Sequence, residues 1–239
     1  PVARKAPVFV EDAEFVRAHT NRPLKWALPG PMTMIDTLYD AHYGSREELA
    51  WEFAGILNQE AKELAAAGVD IVQFDEPAFN VFFDDVNDWG IAALERAAEG
   101  LTCETAVHVC YGYGIKANTD WKASLGSEWR QYERIFPRIR ESSIDIVSLE
   151  CHHSHVPMDL MELIRGKKVM VGAIDVASST VETPEEVAET LRRALQFVDA
   201  ENLYPATNCG MAPLPRGVAR GKLAALTAGA AIVRSELGG

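Results

Sequence analysis

Short runs of aliphatic and β-branched residues, each closing on a polar side chain, alternate along this 239-residue chain with longer amphipathic segments. That alternation constrains the fold most, because successive strand–helix units place parallel strands side by side under a cover of helices. The spacing predicts strands at 24–29, 70–75, 105–110, 145–150, 168–175 and 203–208. They are rich in Val, Ile and Leu, as expected when both faces of a strand are covered. Helices are expected at 46–67, 128–141, 158–165, 184–198 and 216–237. Ser45 and Thr183 are N-cap candidates, Pro184 suits a first helical position, and Gly68 and Gly166 suit helix ends. No low-complexity tract, linker or strict repeat interrupts the pattern, and the length fits one larger single-core domain such as an α/β barrel.

The polar residues gather where strands end. Asp75-Glu76-Pro77, His108-x-Cys110-Tyr111, Glu150-Cys151-His152, Asp175 and Asn208-Cys209-Gly210 all fall at predicted C-terminal strand ends. In a (β/α)₈ barrel that face carries the active site, because the strand-to-helix loops converge there. A core strand gains nothing from ending in a thiol or carboxylate, so five such endings point to a shared site.

His108 and Cys110 are two apart on a predicted strand, which turns both side chains to one side. Cys209 adds a second thiolate and Glu150 a carboxylate, and Cys, His and Glu are ordinary zinc ligands. The bland alternative for the pair is a buried cysteine beside a hydrogen-bonded histidine. His152, His153 and His155 compete with Glu150 as ligands, although histidines just past a strand are more often loop surface. Cys103 and Cys151 are expected to be structural.

The segments LPGPMT, IVQFDEPAF, VHVCYGYG, VSLE, AIDV and TNCGM resemble, in order and spacing, the C-terminal catalytic barrel of the cobalamin-independent methionine synthase family. The resemblance implies a TIM-type (β/α)₈ barrel of the methionine synthase and uroporphyrinogen decarboxylase kind. It also implies zinc held by His108, Cys110, Glu150 and Cys209, and Asp75 on the amino group of homocysteine. Coordination deprotonates a thiol at neutral pH, and the thiolate is the form that attacks carbon. Two cysteinates and a carboxylate offset the metal's charge, so the bound sulfur keeps electron density, and Glu150, the hardest donor, is the ligand expected to give way. Three features of the family's methylfolate half are missing: its proton-donating histidine corresponds to Ala177, a folate-packing tryptophan to Thr37, and a folate-holding acid to Val81. The donor is therefore expected to be something other than polyglutamylated methylfolate, such as a methylated corrinoid, or to need a partner protein. The barrel's first two βα units have no counterpart, so an N-terminally incomplete single barrel domain over 1–239 is the expectation.

The leading expectation is thus zinc-dependent methyl transfer to a thiol, homocysteine to methionine. Alternatives are another thiol acceptor such as coenzyme M, a non-catalytic zinc- or thiol-binding barrel subunit, and a zinc hydrolase. Asp75 favours an amino-acid thiol, since coenzyme M has no amino group. Two thiolates disfavour the hydrolase, because they weaken the metal's hold on a water proton. The formal charge of −12 argues against nucleic acid. No apolar run approaches the roughly 18 to 20 residues of a membrane span. Four cysteines without a secretory signal point to free thiols or a metal, and to a cytoplasmic protein.

Overall fold

A computed structural model describes residues 1–112 and 116–239, with the side chains of 116–119 left out. Tyr113 and Gly114 of the VHVCYGYG segment lie outside the described residues. The helices and strands run, in chain order, α1 (Val10–Ala18), β1 (Lys25–Pro29), α2 (Pro31–Asp36), α3 (Arg46–Ala66), β2 (Ile71–Asp75), α4 (Phe83–Asp85), α5 (Ile91–Ala98) and β3 (Glu104–His108). They continue with α6 (Lys116–Ala123), α7 (Phe136–Glu141), β4 (Ile146–Glu150), β5 (Lys168–Gly172), α8 (Pro184–Ala194), β6 (Leu203–Ala206) and α9 (Arg216–Glu236). The sheet order follows the chain order from β1 to β6. β1 pairs with β2, β2 with β3, and β5 with β6, all in parallel. No helix among the described residues is long and apolar enough to cross a membrane.

The chain forms two compact units, Pro1–Val109 with Pro137–Ile146, and Cys110–Phe136 with Val147–Gly239. The core of the first takes Leu57 and Leu64 from α3, Val72 and Phe74 from β2, and Leu94 from α5. That of the second takes Val171 from β5, Val187 and Leu191 from α8, and Val233 from α9. Each such side chain stabilises its unit by about 1.5–3 kcal/mol. Gly229 lets α9 approach α8 closely, since a Cβ there would lie 2.6 Å from Val187.

Local chemistry explains the helix ends. Ser45 accepts the Glu48 amide at 3.2 Å. Thr183 and Glu186 form a reciprocal capping box, with Pro184 in the first turn. Gly68 and Gly166 stop their helical segments at φ 93° and 97°, a conformation that suits glycine.

Three expectations need correction. Residues 128–141 are not one helix: a 3-10 turn over Gln131–Arg134 precedes α7. Pro137 is the cause, because it lacks an amide to bond back and disfavours helix in the residue before it. Residues 158–164 form a 3-10 helix, Met158–Ile164, rather than an α-helix. Finally, β3 stops at His108, β5 at Gly172 and β6 at Ala206, so Cys110, Asp175 and Asn208 lie just beyond their strands.

Candidate metal centre

β2 and β3 run in register so that Asp75 sits opposite His108. Beyond them the backbone is stitched together: the Gly30 amide donates to the Asp75 carbonyl, and the Glu76 amide to the His108 carbonyl, both at 2.8 Å. Cys110 follows two residues on, and both it and His108 are buried. Cys209 approaches from 99 positions away, with its Sγ 3.8 Å from Cys110 Sγ. One donor atom from each of His108, Cys110 and Cys209 lies within 4.8 Å of the others.

This donor set fits zinc. Two sulfurs about 2.3 Å from one tetrahedral ion lie about 3.8 Å apart, which is the separation between these two. The neighbouring Cys209 thiol, followed by burial, holds the Cys110 thiol well above its ordinary value. Two adjacent sulfurs, one buried and one half-buried, favour a dication between them, which would reverse that penalty.

Glu150 ends β4 but does not join the three donors. Its Oε1 accepts the Tyr111 amide at 2.9 Å. The alternative histidine ligands do not converge either. His152 is buried, against the expectation of loop surface, because its Nδ1 meets Thr190 Oγ1 on α8 at 3.1 Å and its carbonyl accepts from Asn208. Burial, then the neighbouring His153, push the His152 imidazole below its ordinary value. His155 is exposed and bonds the Ser127 carbonyl. Cys151 is buried, and burial pushes its thiol up to about 12, an inert state suited to a structural cysteine.

Asp75 is half-buried, and its Oδ1 accepts Gln73 Nε2 at 2.6 Å. Its neighbour Glu76 is a residue that sequence reasoning missed. Fully buried, it accepts the Met32 and Thr33 amides at 2.9 and 2.8 Å and the Thr33 hydroxyl at 2.8 Å. A Cβ on Gly30 would collide with this carboxylate at 2.2 Å. Burial raises the Glu76 carboxyl to about 7, against those three hydrogen bonds. The available signal was the second acid of the Asp-Glu-Pro triplet beside a Gly-Pro turn.

The β5–α8 loop has a matching anchor. The Asp175 amide donates to Glu182 Oε1 at 2.9 Å, and both Glu182 oxygens accept Lys222 Nζ at 2.9 Å. Lys222 has no solvent exposure. Thr37, Val81 and Ala177, the positions of the missing methylfolate features, are all exposed.

The family model described as the cobalamin-independent synthase catalytic domain matches residues 1–231 and so runs through both units. The methionine synthase of Sulfurisphaera tokodaii is 30% identical over 233 residues, 97% of this chain and 63% of that protein. The Saccharolobus solfataricus methionine synthase is 29% identical over 237 residues, 98% of this chain and 65% of its own. The chain thus spans under two thirds of the length of these relatives. A B12-independent methionine synthase from Shewanella sp. W3-18-1, solved in complex with selenomethionine, is 77% identical. It superposes with a TM-score of 0.97 over 99% of this chain and 70% of that one. A methyltransferase from Methanosarcina mazei shares the fold at 16% identity, with a TM-score of 0.61 over 91% of this chain and 63% of that one. With its parallel α/β sheet in the TIM-barrel class and a family match over nearly its whole length, the chain belongs to the cobalamin-independent methionine synthase family and corresponds to its catalytic domain.

Proposed function

We propose that this chain transfers a methyl group to a thiol, forming methionine from homocysteine, with residues 1–239 acting as one zinc-dependent catalytic domain. The observation that carries this is the His108, Cys110 and Cys209 donor group, with sulfurs at the spacing a tetrahedral ion needs. Membership of the family supports it, as do relatives named methionine synthases. So does a 77% identical protein that holds selenomethionine, the selenium analogue of the proposed product.

Zinc bound there supplies a Lewis acid that favours thiolate over thiol. The remaining work falls to the chain's own residues. Asp75, opposite His108 and braced by Gln73, offers a carboxylate to the ammonium group of the substrate. That preference separates homocysteine from coenzyme M. Glu150 would be the fourth ligand and the one to yield to substrate; in the structure its Oε1 accepts the Tyr111 amide. On the donor side, Thr37, Val81 and Ala177 offer neither a ring to stack on a pterin, nor an acid to hold it, nor a proton for its amine. A methylated corrinoid needs no such proton and fits better, alone or on a partner protein. Four free cysteines suit a reducing compartment, the cytoplasm.

Metal analysis tests the centre: the protein should carry about one zinc per chain, and Cys110→Ser and Cys209→Ser should each lose it, because hydroxyls are poor zinc donors. Full zinc in both variants would overturn the assignment. Loaded with zinc, the protein should methylate homocysteine from methylcobalamin but not from methyltetrahydrofolate triglutamate. Robust turnover with the folate alone would sink the donor half of the proposal.

A further inference from the structure

One buried residue, Asn208, organises the surroundings of Cys209. Its Oδ1 accepts the Cys151 amide at 3.2 Å, its Nδ2 donates to the His152 carbonyl at 2.8 Å, and its amide donates to the Ile174 carbonyl at 2.9 Å. A Cβ on Gly172 would lie 2.4 Å from the Asn208 side chain, so the glycine makes room for this hub. The next residue after His152 is His153, the next after Ile174 is Asp175, and the next after Asn208 is Cys209. The hub thus ties together the backbone positions that precede His153, Asp175 and Cys209.

Those two residues meet. His153 Nδ1 lies 3.7 Å from Asp175 Oδ2, with 64% of the imidazole side chain exposed and 18% of the aspartate. Among the described residues His153 is the only non-glycine at positive φ, 51°, a conformation uncommon for side chains other than Asn, Asp and His and found disproportionately at functional sites. Asp175 is held in turn: its Oδ1 accepts the Ala177 amide at 2.8 Å, and its own amide is anchored to Glu182 and hence to Lys222. The other charged or titratable neighbours are His152, its ring tilted against that of His153 with centroids 3.9 Å apart, and Cys151 with Glu185, Glu186, Glu189 and Arg193 of α8, which share with His153 a cavity of about 540 Å³.

We propose that His153, oriented by Asp175, accepts the proton that the substrate thiol loses on entering the site and passes it to solvent. This rests on the thiol-methyltransferase function proposed above. The S–H bond breaks with its electron pair left on sulfur, an N–H bond forms on the imidazole, and the exposed ring then returns the proton to water. Nothing is oxidised or reduced. The residue at 177 need not carry a proton for this.

The test is proton release, read with a pH indicator by stopped flow as homocysteine is mixed with the zinc-loaded protein. His153→Gly keeps the positive φ without strain and leaves space for free imidazole. The release rate in that variant should fall about a hundredfold and recover with added imidazole, while zinc content and the final number of protons released stay at the wild-type level. Asp175→Asn should slow release by a smaller factor with zinc again unchanged. Release at the wild-type rate in His153→Gly would overturn the proposal, as would a loss that imidazole does not restore. A wild-type protein that binds zinc yet releases no proton with homocysteine would overturn both this assignment and the thiol-transfer function beneath it.

Discussion

The loop ends after β2 and β5 each pair a partly exposed aspartate with a buried glutamate, but the two glutamates are satisfied in different ways. Glu76 sits in a cradle of neutral donors, two amides and one hydroxyl at the start of α2. Glu182 faces the ammonium of Lys222, itself cut off from water. A neutral cradle leaves the carboxyl free to take up a proton when burial makes the charge expensive, whereas an ion pair ties the charge to its partner. One anchor is therefore expected to sense pH and the other to depend on a single cation.

The largest effect should come from breaking the ion pair. Lys222→Met removes the cation but keeps the length of the side chain, leaving Glu182 buried with the Asp175 amide. Loss of one partner of a buried pair typically costs about 3–5 kcal/mol, which urea denaturation would read directly. A change below about 1 kcal/mol would mean that the pair contributes no more than a surface bridge, and the contrast with Glu76 would disappear.

Next is the pH response of Glu76. Its carboxyl is raised by burial from 4.5 to about 7 in the folded protein, so the folded state binds more protons than the unfolded state across that window. The stabilisation linked to this group is fully present below pH 4.5 and is lost as pH rises through 7, a change of about 3 kcal/mol. Glu76→Gln should flatten that slope in denaturation curves taken between pH 5 and 8. An unchanged slope would show that the three hydrogen bonds keep Glu76 ionised throughout.

A smaller effect separates the two aspartates. Asp75→Asn should weaken homocysteine binding by about 1.5–3 kcal/mol, or roughly ten- to a hundredfold, through loss of a charge-assisted bond. Zinc content should not move, and calorimetry with the zinc-loaded variant measures both. Unchanged affinity would reduce Asp75 to a strand-end residue braced by Gln73.

The site was legible to different depths. His108, Cys110 and Cys209 were recognisable from residue type and placement at strand ends, and the structure brings their donor atoms together. Glu150 was recognisable as a strand-end acid, but the hydrogen bond its Oε1 accepts from the Tyr111 amide was not, because no periodicity encodes which lone pair a carboxylate offers. The three histidines after β4 looked alike in sequence. Their fates diverge because Asn208, more than fifty positions away, pins the His152 carbonyl and leaves His153 outside. Glu76 looked like the neighbour of a functional aspartate, and only the approach of Gly30 and Thr33 revealed its burial.

By itself the sequence determined what local physics controls. Apolar runs and their lengths specified six strands, the Ser45 and Thr183 caps and the Gly68 and Gly166 stops bounded helices, and Pro137 dictated where one expected helix had to break. It also supplied the donor chemistry, since two thiols and an imidazole suit a borderline-soft metal wherever they meet. Tertiary structure alone decided which of those groups meet, which are dry and which face water. Hydrogen bonds such as those of Asn208, Glu76 and Lys222 join residues some 40 or more positions apart, and the free energy of a buried polar group depends on the partner that packing brings to it, not on its neighbours in the chain.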